Sequence, residues 1–264
     1  MKTELLIVPA IYIAFALLEM LRSNFWSKPN QKRSDGIVEF VSTLTVMGLT
    51  QPTILLTSAA FMALVFPGAQ DMLIGLPLVA KIALLLVFED MMQYWWHRAS
   101  HSSPFLYNLH RAHHAGEYMS VRIVYRNNIF YYAMMPSLWF AGALIYMGLF
   151  KVYIVYGVIK MLVIIAAHSD VRWDEPLYRI KMLSPLMWLI ERTISTPATH
   201  SAHHGKHVSD GITNYKGNFG NLLFFWDVLF GTAKITRRYP DEIGVENLPP
   251  VTAGAQLIWP LVRG

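Results

Sequence analysis

The chain of 264 residues holds ten histidines and no cysteine. Eight of the histidines fall into three blocks: His97 and His101; His110, His113 and His114; and His200, His203 and His204, which repeat the spacing of the second block. Gaps of three and four place side chains on one face of a helix, so each block can aim its imidazoles at one point. Imidazole is a good ligand for iron, zinc, copper and nickel. The regular spacing, with one block echoing another, sets these residues apart from scattered surface histidines. His168 and His207 stand alone, and a lone histidine is more often structural or solvated. Without cysteine, thiolate metal sites, disulfides and cysteine nucleophiles are excluded.

The elements that must position these blocks are membrane helices. Hydrophobic residues make up 54% of the chain and charged residues 15%, against about 25% charged in typical soluble domains. Several apolar runs approach the roughly 20 residues that a bilayer requires. The net charge of +5 fits basic loops beside a membrane better than a nucleic-acid surface, so no nucleic-acid partner is expected. Residues 5–21 form a first span, retained rather than cleaved because no small-residue cleavage site follows. The loop 22–36, with Arg22, Lys28, Lys32 and Arg33 against Asp35, reads as basic and cytoplasmic. Residues 37–66 read as one kinked span, interrupted at Gly48, Thr50 and Pro52. Residues 67–77 lack Lys and Arg, which suits the opposite side.

The third span, 78–96, delivers Trp95, Trp96 and His97 to the cytoplasmic interface. One further helical turn puts His97 and His101 on a shared face. Asp90, seven residues before His97, reads either as the partner that orients a ligand histidine or as an interfacial charge reaching water. Spans four and five, 129–149 and 152–167, form a tight hairpin around Gly148 and return the chain to His168. Lys81 and Lys160 fall inside spans without an evident partner. Residues 182–194 read as a helix lying on the membrane surface. Thr196 and Pro197 read as the cap and first position of the helix that carries the third block. Asn214–Asn221 reads as a loop. The expected fold is all-α: a multi-pass membrane bundle of four to five spans with a cytoplasmic histidine-rich helical cap that holds a metal site.

At residues 78–240 the chain resembles the fatty acid hydroxylase/sterol desaturase superfamily of membrane-bound, histidine-rich di-iron oxygenases. The resemblance is carried by Asp90–His97, the HRASH and HRAHH blocks, His168-Ser169-Asp170, the stretch Thr196–His204, Asn218-Phe219-Gly220 and Trp226–Thr232. It divides the chain into N-terminal membrane helices with a basic loop (1–77), a catalytic region (78–240) and a C-terminal tail (241–264). It implies two iron ions held by His97, His101, His110, His113, His114, His168, His200, His203 and His204, with Asp227 behind them. Some members have a further histidine four residues from the one like His168. Ile164 and Arg172 occupy those places here, which leaves that role to His207 or to water. Phe219 stands where tyrosine is common.

The implied activity is hydroxylation of a lipid C–H bond with dioxygen and two electrons, with desaturation by the same site as the alternative. A separate electron donor, a ferredoxin or cytochrome b5-type reductase system, is implied because no dinucleotide or haem motif is visible. The apolar slot for the lipid has Trp95, Trp96, Tyr125, Tyr131 and Tyr132 as candidate walls. A zinc membrane hydrolase would need a pairing like HExxH, which is absent. A metal transporter would place its ligands near the bilayer midplane rather than at one face. The size of the chain, with no fused cytochrome domain, suggests a bacterial inner-membrane protein.

Overall fold

The structure, a computed structural model, describes residues 6–263. No β-strand occurs among them; the extended pairings are single bridges between Ile194 and Leu223 and between Gly205 and Ile243. Helix α1 (Ile7–Arg22) covers the first expected span, whose first residue, Leu5, lies outside the described residues. Helix α2 (Arg33–Val65) is unbroken. Its interruption takes the form of a π-helical turn at Val46–Thr50. Pro52 has no N–H for the Gly48 carbonyl, and the wider turn relieves the crowding that its ring would cause. A π turn at Leu86–Met91 also interrupts α3 (residues 78–100).

Helix α4 is Pro104–His114. Helices α5 (Pro136–Leu144) and α6 (Phe150–His168) form the expected hairpin, which turns at Gly148. There φ is +106°, a conformation that suits glycine. Both limbs pack on α3, with α5 also on α2 and α6 also on α1. The turn is pinned to the loop after α2 by Asp71 and Leu73, whose N–H groups donate to Tyr146 and Met147. Of the expected spans, α2 is a single helix long and apolar enough to cross a bilayer; in the apolar segment Pro136–His168 the limb Phe150–His168 has 19 residues and Pro136–Leu144 has 9. The third expected span carries Lys81, Glu89 and Asp90, and α1 has only 16 described residues.

Several polar residues that looked unpartnered are tied down. Lys81 reaches out of α3 to the Ile74 carbonyl at 2.7 Å. Lys160 is buried and bonds both oxygens of Glu89 at 2.6 Å, joining α6 to α3. The loop 22–36 is not a free basic loop. Lys28 is buried against Asp170 at 2.7 Å, and Asp35 pairs with the fully buried Arg126. The expected surface helix is α7 (Ser184–Thr193). It exposes Leu186, Trp188 and Leu189 while burying Met187 and Glu191. The tail is anchored to the protein: a short helix, Ala253–Ile258, lays Gln256 against Arg126 at 2.9 Å.

Candidate metal centre

Four elements converge at one end of the bundle. Helix α3 continues past the expected span and ends with His97 and His101 at its last turn. The second block ends α4, and His168 is the last residue of α6. The third block lies on α8 (Pro197–His204), capped by the Thr196 side chain with Pro197 next, as the sequence predicts. All nine histidines meet there, eight of them buried and His101 partly so.

The nine fall into two groups: His97, His101, His110, His114 and His203, and His113, His168, His200 and His204. Within each group the candidate ligand atoms lie within 4.8 Å of one another. The two echoing blocks divide in opposite senses. The second block gives its outer pair to the first group and His113 to the second. The third block gives its outer pair to the second group and His203 to the first.

The hydrogen bonds fix how several rings face. His97 Nδ1 lies 2.8 Å from the Phe219 carbonyl oxygen and His203 Nδ1 lies 2.8 Å from that of Gly217. A carbonyl only accepts, so each Nδ1 carries the proton and donates it, leaving a bare lone pair on Nε2. Yet His97 Nε2 and His203 Nε2 sit 3.0 Å apart. Two lone pairs at that distance repel unless a cation lies beside them. Ligand nitrogens about 2.1 Å from a metal and at right angles to each other are about 3.0 Å apart. His168 with His200 at 2.8 Å and His110 with His114 at 3.2 Å show similar spacing. The buried His101 Nε2, His113 Nδ1 and His204 Nδ1 have no hydrogen-bond partner. The donor set therefore fits a pair of metal ions.

Burial keeps these rings neutral, as ligands must be. Desolvation lowers His97 to about 4. It holds His101, His110, His113, His114, His200, His203 and His204 well below the usual imidazole range, with neighbouring histidines adding to the effect. The unfolded chain takes up these protons near pH 6.5, and the metal-free folded chain does not. Its stability is therefore full above that pH and falls as the pH drops toward 4, with His97 alone contributing roughly 3 kcal/mol. Thermal unfolding of chelator-treated protein across that window checks the prediction; a flat profile would contradict it.

Asp227 acts through the backbone. Its carboxylate accepts from the N–H groups of Phe219 (2.8 Å) and Gly220 (2.6 Å) and from the Thr232 hydroxyl, so it holds the loop whose carbonyls orient His97 and His203. A Cβ on Gly220 would lie 2.5 Å from the Leu223 carbonyl, which leaves room only for glycine. Asp227→Ala should lower metal affinity about 10- to 100-fold, measured by chelator competition, with every ligand histidine still present.

Other expected site residues fall elsewhere. Asp90 accepts from Trp226 Nε1 (2.8 Å) and Leu223 N (3.2 Å) rather than from a histidine; the Nδ1–H of His97 is already taken by Phe219. His207 lies at the surface between Glu242 and Glu246. It sits beyond Gly205, where the backbone turns extended and leaves the helical phase. Arg172 stacks on Tyr239.

Ile164 lines a cavity of about 550 Å³ that starts at His97, His110, His113 and His168. The cavity runs along α6 to Phe150, about 27 Å at 1.5 Å per residue. Tyr125, Tyr131 and Tyr132 form part of its wall. Trp95 and Trp96 do not line it: Trp95 packs on Phe230, and Trp96 packs on the wall residue Tyr131.

A family model described as fatty acid hydroxylase matches residues 82–232. The chain belongs to the fatty acid hydroxylase family. The matched fatty acid hydroxylase region contains all nine clustered histidines and Asp227. Similar curated proteins are alkylglycerol monooxygenases: that of Danio rerio is 26% identical over 232 residues, that of Xenopus tropicalis 24% over 225 and that of Homo sapiens 25% over 223. Each alignment covers 84% of this chain, and the chain spans about half the length of these relatives (46%, 45% and 46%). No solved structure matches the chain.

Three site features of this fatty acid hydroxylase family member escape a reading of the sequence. The Gly217 and Phe219 carbonyls carry no side-chain signal. Asn127, which accepts from His110 Nδ1 at 3.0 Å, lies outside every histidine block. Gln93 does leave a trace: Glu89, Gln93 and His97 are four residues apart and line one side of the cavity.

Proposed function

We propose that the chain is a membrane-embedded di-iron monooxygenase that hydroxylates a C–H bond of a lipid. The observation that carries this reading is the facing pair of bare Nε2 atoms on His97 and His203, with His97 at one end of a long, mainly apolar cavity. When bound, two iron ions would supply the activation of dioxygen, with two electrons from a separate ferredoxin or cytochrome b5-type donor. His97, His101, His110, His114 and His203 hold one ion; His113, His168, His200 and His204 hold the other.

The Phe219, Gly217, Ile164 and Asn127 oxygens keep Nδ1 of His97, His203, His168 and His110 protonated and turn Nε2 inward. The walls formed by Tyr131, Met135, Leu138 and Ile164 exclude water and hold a hydrocarbon chain by shape, since a methylene offers no polar handle. Among the described residues neither histidine group contains a carboxylate, and the sequence has no HExxH pairing, so nothing here favours a zinc hydrolase. The bundle crosses the membrane four to five times with the histidines at the cytoplasmic face, which fits a bacterial inner membrane. The exposed apolar side of α7 rests on that surface.

The test is metal content after anaerobic purification with iron and zinc both supplied, followed by lipid extraction after exposure to isotopically labelled dioxygen. About two irons per chain and one labelled oxygen atom in a lipid product are expected. A single zinc with no iron would sink the reading. Loss of two hydrogens without labelled oxygen would make the chain a desaturase.

A further inference from the structure

Helix α6 turns one side to the cavity. Tyr153, Gly157, Met161, Ile164 and His168 all line it, and their spacing of three and four residues is that of one helix face. The opposite side, with Val155, Ile159 and Leu162, is exposed. Every position on the inner stripe carries a large side chain except Gly157, which presents only hydrogen.

Glycine inside a helix is less stable than alanine, so its presence calls for a local reason. Two common reasons are missing at Gly157. Its backbone is helical, with no positive φ. No neighbouring element presses on it either: a Cβ built there would meet nothing within 4 Å. Gly142 shows the contrast. A Cβ on that residue would lie 2.6 Å from Ser58 Cβ and 2.7 Å from the Leu55 carbonyl oxygen, where α5 packs on α2. Gly142 is there for close packing. The room beside Gly157 belongs to the cavity, and among the described residues no other glycine lines it.

We infer that Gly157 sets how long a hydrocarbon chain the cavity accepts. It precedes His168 by about 16 Å along the helix, at 1.5 Å per residue. Beyond it the cavity continues past Ile154 and Tyr153 to Phe150. A short chain that starts at the histidines ends before Gly157. A long chain must pass it, and the bare backbone leaves that passage open. Any larger side chain at this point of the stripe would stand in the path of the distal methylenes. The favoured ligand is therefore a lipid whose alkyl chain runs from the histidines past Gly157 toward the turn at Gly148. Gly157 is a specificity-determining residue and acts far from the reacting carbon. The inference rests on the cavity being the lipid site of the proposed oxygenase.

The test is equilibrium binding of tritiated decanoic and hexadecanoic acids to the full chain in nanodiscs, corrected with empty discs. It requires no turnover. An extended decanoic acid is shorter than the distance from His168 to Gly157, and hexadecanoic acid is longer. The wild-type chain should bind both. Gly157→Leu and Gly157→Phe should weaken hexadecanoic acid at least about tenfold, within the usual penalty for forcing methylenes into filled space. Both variants should keep the wild-type affinity for decanoic acid, which reports an intact cavity. Gly157→Ala is the folding control. It should melt no lower than the wild type, because its methyl group meets no neighbour and alanine favours the helix. Wild-type affinity for hexadecanoic acid in the Leu and Phe variants overturns the inference, with the cavity still standing as a lipid site. Equal weakening of both acids overturns it as well, since the residue would then support the cavity rather than limit the chain. A lower melting temperature for Gly157→Ala gives the glycine a packing role and also overturns it. If the wild type binds neither acid, the inference falls together with the lipid reading of the cavity.

Discussion

Replacing His203 with alanine is expected to strip iron from the protein and to bring lipid oxygenation below detection. The side chain is fully buried. Its Nε2 faces His97 at 3.0 Å, and its ring packs against His101 and His114. Its removal leaves a hole in the first histidine group and frees the Gly217 carbonyl. Iron should fall from about two per chain to one or fewer, and the loaded protein's optical and Mössbauer signatures should change with it. His207→Ala is the control, because its ring lies outside the cluster among surface carboxylates; it should retain full iron and turnover. A His203→Ala protein with wild-type iron and activity would remove the residue from the centre.

The second large effect concerns the deep ion pair. Lys160→Met should destabilise the protein by about 3–5 kcal/mol, because Glu89 would be left charged and buried without its cation. Glu89 and Lys160 are both almost fully buried, so solvent cannot take over. Replacing Glu89 by Met as well should recover most of that loss, since a well-packed apolar pair is often as stable as a buried ionic one. Unfolding of the single and double variants in mixed micelles gives the comparison. A neutral single variant, or a double variant no better than the single, would mean that the pair is not what holds α3 to α6.

The elements that carry chemistry were legible where local rules decide them. Thr196 and Pro197 announced the start of α8, and the structure shows the cap and the first position as read. The continuation of α3 past its apolar run, and the turn at Gly148, were likewise visible. What was hidden is long-range pairing. Lys28 and Lys160 looked like surplus charge, and their partners Asp170 and Glu89 lie far along the chain. The spacing within a histidine block shows which side chains share a face. It does not show which group each joins, because that depends on how the helices cross. His207 looked like a spare ligand one turn beyond His204, until the extended backbone at Gly205 ended the helix.

The crosswise sharing of the two echoing blocks also bears on how the protein is made. His203 completes the first group, and three of the four members of the second are His168, His200 and His204. During synthesis neither nest exists until the ribosome has passed His204. In the proposed centre, loading would follow the synthesis of both echoing blocks. Because each nest borrows from both blocks, neither can be assembled from a contiguous stretch. In the proposed centre two ions would act as a single clasp between the halves of the chain, and prising out one would loosen the seat of the other.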